Sequence, residues 1–204
     1  MATDRLADHA ELSSLLDAGL LWRGRRGEGR ARHLPTGFDE LDALIGGGWP
    51  ASALVELISA DHLGLALLLP ALQRLQSGWL AWVDPPWQPH AAALAARGVA
   101  VERLLLVRGG DESLWALEQL LRSGQCAAVL SWPPRLADRG LRRLQLAAEE
   151  GDTLGILFRP PAARAQPSPA ALRLSLEPHP RGLRVEVLKR RGGWGGQGVV
   201  LCTG

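Results

Sequence analysis

At 204 residues, with 47% hydrophobic and 22% charged side chains, the chain has the composition of one globular domain with at most a small appendage, and disorder is excluded. A net charge of +2 gives no overall attraction for nucleic acid, so only local clusters of cations could provide one. No apolar run approaches the roughly 20 residues of a membrane span, and the polar, acidic N-terminus lacks a secretory-signal pattern, which predicts a cytoplasmic protein.

Residues 4–21 carry Leu6, Leu12, Leu15, Leu16 and Leu20 at amphipathic-helix positions, and 22–30 (WRGRRGEGR) read as a basic, glycine-containing linker. Residues 1–33 are therefore set apart from a domain over 34–204. From Leu34 the text runs LPTGFDELDALIGGGWPASALVELISADHLGLALLL. Turn-rich Thr36-Gly37 and Gly46-Gly47-Gly48 lead into a short apolar strand, Leu54–Ile58. After a loop, Leu65, Leu67, Leu68 and Leu69 predict a helix apolar almost all round and hence buried. Further strands are predicted at Trp79–Val83, Arg103–Val107, Cys126–Leu130 and Leu154–Phe158, alternating with helices at about 89–97, 111–121 and 135–149. Asp111 is the expected cap of the second of these. The unbroken apolar run at Cys126–Leu130 suits a strand covered on both faces.

This alternation predicts an α/β fold with a mostly parallel sheet flanked by helices and right-handed crossovers. The tail changes period. Residues 171–177 and 183–189 both alternate apolar and polar, separated by Pro178-His179-Pro180-Arg181-Gly182, and a last short strand is expected at Val199–Leu201. The sheet should therefore end in an antiparallel C-terminal extension.

A parallel core with that extension resembles the RecA family over about 34–190. The likeness fails where that family does its chemistry. A RecA-type domain follows its first strand with a glycine-rich loop, a lysine for the phosphates and a hydroxyl for magnesium. If Gly64 takes the last glycine's place, Leu65 stands for the lysine and Ala66 for the hydroxyl. Pro86 falls where a glutamate would activate water, and Ser131 where an aspartate would support the metal. Phosphoryl transfer depends on positioning and charge neutralisation, so the expectation is a non-enzyme with no catalytic, cofactor or metal residues.

Other residues invite binding roles. Arg135, Arg139, Arg142 and Arg143 share one face of the expected helix. They read either as a solvated face balanced by Glu149 and Glu150 or as a strip for a partner or phosphates. Lys189-Arg190-Arg191, followed by Trp194 in a glycine-rich turn, suits single-stranded nucleic acid, a protein partner or a plain hairpin turn. Trp79, Trp82 and Trp132 are expected in the core, and Trp49 and Trp87 beside the emptied loop. Asp61-His62 reads as a loop pair, and Cys126 and Cys202 as separate reduced thiols.

Taken together, Leu21-Trp22-Arg23-Gly24, LPTGFDELDALIGGGWP at 34–50, LSWPPRLADRGLRRLQLAAEEG at 130–151, SPAALRLSLEP at 168–178 and LRVEVLKRRGG at 183–193 resemble the ImuA family. The resemblance implies a non-catalytic accessory factor of SOS-induced mutagenic translesion synthesis. Its partners would be the ImuB adaptor, an error-prone DNA polymerase III alpha-type subunit and RecA, with only weak direct DNA contact. The alternative resemblance is to SulA, the SOS cell-division inhibitor that binds the tubulin-like protein FtsZ. It rests on the Ser131-Trp132 strand end and the arginine-leucine helix after it. An active ATPase of the recombinase or circadian-clock type fails on Leu65, Ala66, Pro86 and Ser131.

Overall fold

The computed structural model describes residues 32–60, 63–133 and 135–202. The expected N-terminal helix and linker, and the Asp61-His62 pair, lie outside the described residues. The strands are β1 (His33–Leu34), β2 (Trp49–Pro50), β3 (Leu54–Ile58), β4 (Trp79–Val83), β5 (Leu104–Val107), β6 (Cys126–Ser131), β7 (Leu154–Arg159), β8 (Leu172–His179), β9 (Gly182–Arg190) and β10 (Gly198–Leu201). The helices are α1 (Asp39–Ile45), α2 (Leu65–Arg74), α3 (Ala91–Ala96), α4 (Ser113–Arg122) and α5 (Asp138–Glu150). β1 and β2 form a small antiparallel ribbon; the remaining strands make one sheet in the order β10-β9-β8-β3-β7-β6-β4-β5. From β5 to β8 all neighbours are parallel, and β9 and β10 close the other edge antiparallel. The predicted architecture is thus present.

Strand order and chirality together decide which helix covers which face. β3 to β4 to β5 steps one way along the sheet, whereas β5 to β6 to β7 steps back. Right-handed crossovers then put α2 and α3 on one face and α4 and α5 on the other. The two cores follow. Leu67, Leu68, Ala71 and Leu72 of α2 pack with Val55, Leu57, Trp82, Trp132, Ile156 and Phe158. Leu117 and Leu121 of α4 pack with Leu141, Leu144, Ala147 and Ala148 of α5 over Leu54, Ala81, Val83, Val129 and Leu157. Alternate residues of each strand feed opposite cores, as a two-sided sheet requires.

Polar groups interrupt the second core at one place. Glu56 on β3, Arg159 on β7 and Arg173 on β8 project from adjacent strands to the α4–α5 side, with side-chain exposures of 1%, 2% and 8%. Arg159 Nη1 donates to Glu56 Oε1 at 3.2 Å, and Arg173 Nε donates to Glu56 Oε2 at 2.6 Å. The connection from β7 to β8 roofs them: Arg173 Nη2 donates to the Ala163 carbonyl and Arg159 Nη2 to Gln166 Oε1. Burial pulls the Arg159 guanidinium below its usual range, against the opposing pull of Glu56.

Several boundaries moved. The helix expected from Arg135 begins at Asp138, where Ala137 stands as an extended N-cap at φ −75 and ψ 155. Asp111 does not cap α4; it lies in a 3-10 turn, Gly110–Glu112, that runs into the helix. Trp79, expected in the core, is 46% exposed as the first residue of its strand, and Trp87 is 61% exposed. Trp49 is fully buried, but in the ribbon that precedes β3. No described helix is long and apolar enough to cross a membrane.

Candidate functional site

In a sheet of this topology, ligands sit at the carboxyl ends of the parallel strands. Here apolar side chains crowd the turn that leads from β3 into α2. Gly64, at φ 114, turns the chain into α2, a backbone only glycine enters without strain. A Cβ on Gly64 would lie 2.6 Å from Leu176 Cδ1 and 3.2 Å from Leu57 Cδ1, with Phe158 close behind. These apolar groups stand against the turn where a phosphate loop needs open space for its ligand. Trp132 stacks on Phe158 with ring centroids 4.6 Å apart and planes 1° from parallel, and Trp82 tilts against Trp132 at 5.6 Å. Leu65 and Ala66 occupy the first turn of α2, Leu65 packing on the apolar core. They offer neither a cation nor a metal-ligating oxygen. The aromatic stack, rather than Trp49 or Trp87, reaches this turn, through Phe158.

At the ends of β4 and β6 a cleft of about 350 Å³ remains, with Leu114, Leu117, Ser131, Trp132, Arg135 and Leu136 among its lining. Asp84 enters it in the left-handed region at φ 47. Its carboxylate is already engaged, accepting from Gly109 N at 2.9 Å and from the Ser113 hydroxyl, and so braces the chain entering α4. Pro86 is exposed in the loop beyond, and Ser131 is buried as the last residue of β6. Among the described residues no three of His, Cys, Asp and Glu converge on a possible metal position.

The basic residues do not form one patch. Arg135 lies before α5, and Arg139, Arg142 and Arg143 lie on its exposed face. Arg143 pairs with Glu118 of α4, which also meets Arg122 at 3.2 Å. The cations at the end of β9 are separated by the strand's alternation and by long-range bonds. Lys189 Nζ donates to the Ser168 carbonyl at 2.6 Å, Arg190 Nη1 reaches the Leu44 carbonyl at 3.5 Å, and Arg191 pairs with Glu149 at 2.8 Å. Burial, with the charges of Arg173 and Arg191, lowers the Lys189 ammonium below its usual range. Trp194 stands apart from them, 89% exposed. Sequence reasoning missed Trp115 and Leu146, which are 58% and 61% exposed. A signal existed for Trp115: Leu114, Leu117 and Leu121 make the helix stripe, and Trp115 falls outside it.

Similarity to known proteins divides along the same lines as the structure. The RadB recombinase superimposes with a TM-score of 0.62 at 19% identity, covering 81% of this chain and 93% of that one, which is a likeness of fold alone. The family model for the cell division inhibitor SulA matches residues 54–155, half of the chain. The SulA of Edwardsiella piscicida is 39% identical over 101 residues, covering 47% of this chain and 60% of that protein. The SulA of Yersinia pestis (strain Pestoides F) is 35% identical over 98 residues, covering 46% of this chain and 58% of that protein. The chain thus spans about three fifths of the length of the curated relatives it matches. These matches overturn the ImuA reading, with its translesion role and its ImuB, polymerase and RecA partners. Most of the residues that carried that resemblance, at 21–24, 34–50, 168–178 and 183–193, lie outside 54–155, where the family match falls. Within it lie Gly64, Trp82, Trp132 and α5. The chain belongs to the SulA family.

Proposed function

We propose that this protein is a non-catalytic inhibitor of cell division that works by binding, its partner being the tubulin-like division protein FtsZ and its setting the cytoplasm of a cell under DNA damage. The observation that carries the reading is the SulA match at 54–155, which takes in Leu57, Gly64 and Trp132, with Phe158 and Leu176 completing the apolar packing on Gly64 from beyond the match. A fold that has exchanged its phosphate contacts for side-chain packing is left with its surfaces as the means of action. The absence of a lysine at Leu65, a hydroxyl at Ala66 and acids at Pro86 and Ser131 supports the non-enzymatic part of the reading.

Purified full-length protein added to purified FtsZ, with polymer followed by sedimentation and GTP hydrolysis by phosphate release, tests it. Equimolar protein should suppress both. Undiminished polymer at several-fold excess, with no complex on gel filtration, sinks the proposal. Expression in a rod-shaped bacterium should produce filaments without septa, and normal division at high expression would count equally against it.

A further inference from the structure

The outer face of α4 and α5 joins unpaired positive charge to exposed apolar surface. Arg135, Arg139 and Arg142 are exposed and make no ion pair or hydrogen bond among the described residues. The carboxylates expected to balance them are committed elsewhere, Glu149 to Arg191 and Glu150 to Arg122, and Glu118 of α4 is taken by Arg122 and Arg143. A simple solvated face would use those acids on its own helix. A Cβ on Gly140 would lie 3.6 Å from Leu114 Cδ2, and Arg143 reaches Glu118, so the first turns of the two helices run side by side. Trp115 therefore stands at the level of Arg139, with Leu146 a turn or two further along the same face of α5. The cleft of about 350 Å³ opens at the start of both helices, with buried Leu117 and Trp132 in its wall and Arg135 at its rim.

We propose that this face docks an acidic protein segment that carries an apolar side chain. The apolar side chain enters the cleft against Leu117 and Trp132, and the segment's carboxylates meet Arg135, Arg139 and Arg142 along α5. Trp115 supplies the flat contact that most often anchors such interfaces. Asp111 lines the cleft on the α4 side and Asp138 opens α5, so the carboxylates of the ligand are steered to the arginine side. Charge complementarity is the argument for this occupant over a basic peptide or a second copy of the chain, whose α5 would oppose arginine to arginine. The site goes beyond the division-inhibitor reading and stands without it.

The test is a fluorescein-labelled synthetic peptide of alternating glutamate and leucine, titrated against the full chain by fluorescence anisotropy. Glutamate–serine and lysine–leucine peptides serve as comparisons. The glutamate–leucine peptide should bind best, and more weakly as salt rises. Combined Arg135→Glu, Arg139→Glu and Arg142→Glu should lower its affinity at least about tenfold. Trp115→Ala should lower it at least about threefold. Neither change should move the melting midpoint, since none of these side chains is buried. Reversal of Arg181 and Arg184, exposed at the distant β8–β9 hairpin, should leave affinity intact. Equal binding of the glutamate–serine peptide, indifference to the α5 reversals, or equal loss on reversing Arg181 and Arg184 would each overturn the site.

Discussion

Among the described residues Glu56 is the one carboxylate paired with buried Arg159 and Arg173, and its charge is felt as far as Lys189. A carboxamide in its place keeps the shape and leaves both guanidinium groups buried without a counter-charge. Glu56→Gln is therefore expected to cost about 3–5 kcal/mol in urea unfolding. Replacing all of Glu56, Arg159 and Arg173 by apolar residues of similar size should cost far less, because the desolvation of charge disappears with the charges. A Glu56→Gln loss below about 1 kcal/mol would mean that water reaches the site. The two thiols give a simpler contrast. Cys126 is buried, and burial raises its thiol above the usual range, whereas Cys202 is exposed. Ellman's reagent should titrate one thiol in the native protein and two in denaturant, since only an accessible thiolate reacts. Two fast thiols in the native state would contradict the packing of β6.

At the scale of elements, β9 ends in a clasp. Lys189 holds the β7–β8 connection through Ser168, Arg190 reaches α1 through Leu44, and Arg191 reaches α5 through Glu149. Lys189→Ser removes a charged, part-buried hydrogen bond and should cost about 1.5–3 kcal/mol. Arg191→Ser removes an exposed pair and should cost less than about 1 kcal/mol. Equal losses, measured by chemical denaturation, would refute this division of labour. None of it was legible locally: a run of three cations beside a glycine-rich turn looks like one patch until partners far away in sequence are known. What was legible is the period of the chain. Apolar runs located β3, β4, β6 and β7 to within a residue or so, because strands covered on both faces leave no other pattern. The same signal located β5 but not its place: Leu104–Val107 forms the sheet's edge, with Leu105 37% exposed. Position across a sheet is set by crossovers and is absent from any short window. The leucine-rich helix α2 was legible for the opposite reason, being apolar on nearly every side; Leu67 and Leu68 are fully buried. Leu68→Asp should accordingly give insoluble protein, and soluble protein with an unchanged melting midpoint would remove α2 from the core.

For the whole molecule the question is what a recombinase-like sheet does once its ligand end is packed. RadB shares the layers and most of the chain, and at 19% identity it can speak only for architecture. Leu57, Phe158 and Leu176 crowd Gly64, and the Trp82–Trp132–Phe158 stack continues that packing across β4, β6 and β7. The absent lysine could be restored by one substitution, but the occupied space could not. Magnesium-ATP should therefore leave the melting midpoint of the native protein unchanged, and the Leu65→Lys, Ala66→Thr variant should behave the same way. The expectation is quantitative. A ligand at 100 times its Kd adds about 2.7 kcal/mol to stability, and each kcal/mol raises the midpoint by about 2–4 °C in a domain of this size. Millimolar ATP acting on a site of about 10 µM affinity would thus shift the midpoint by several degrees, well outside measurement error. A shift of that size that requires magnesium in the native chain would return a nucleotide to the fold and remove the basis for reading it as a pure binder. A shift confined to the restored variant would show that the aromatic stack yields to a phosphate chain, and that charge alone had been lost.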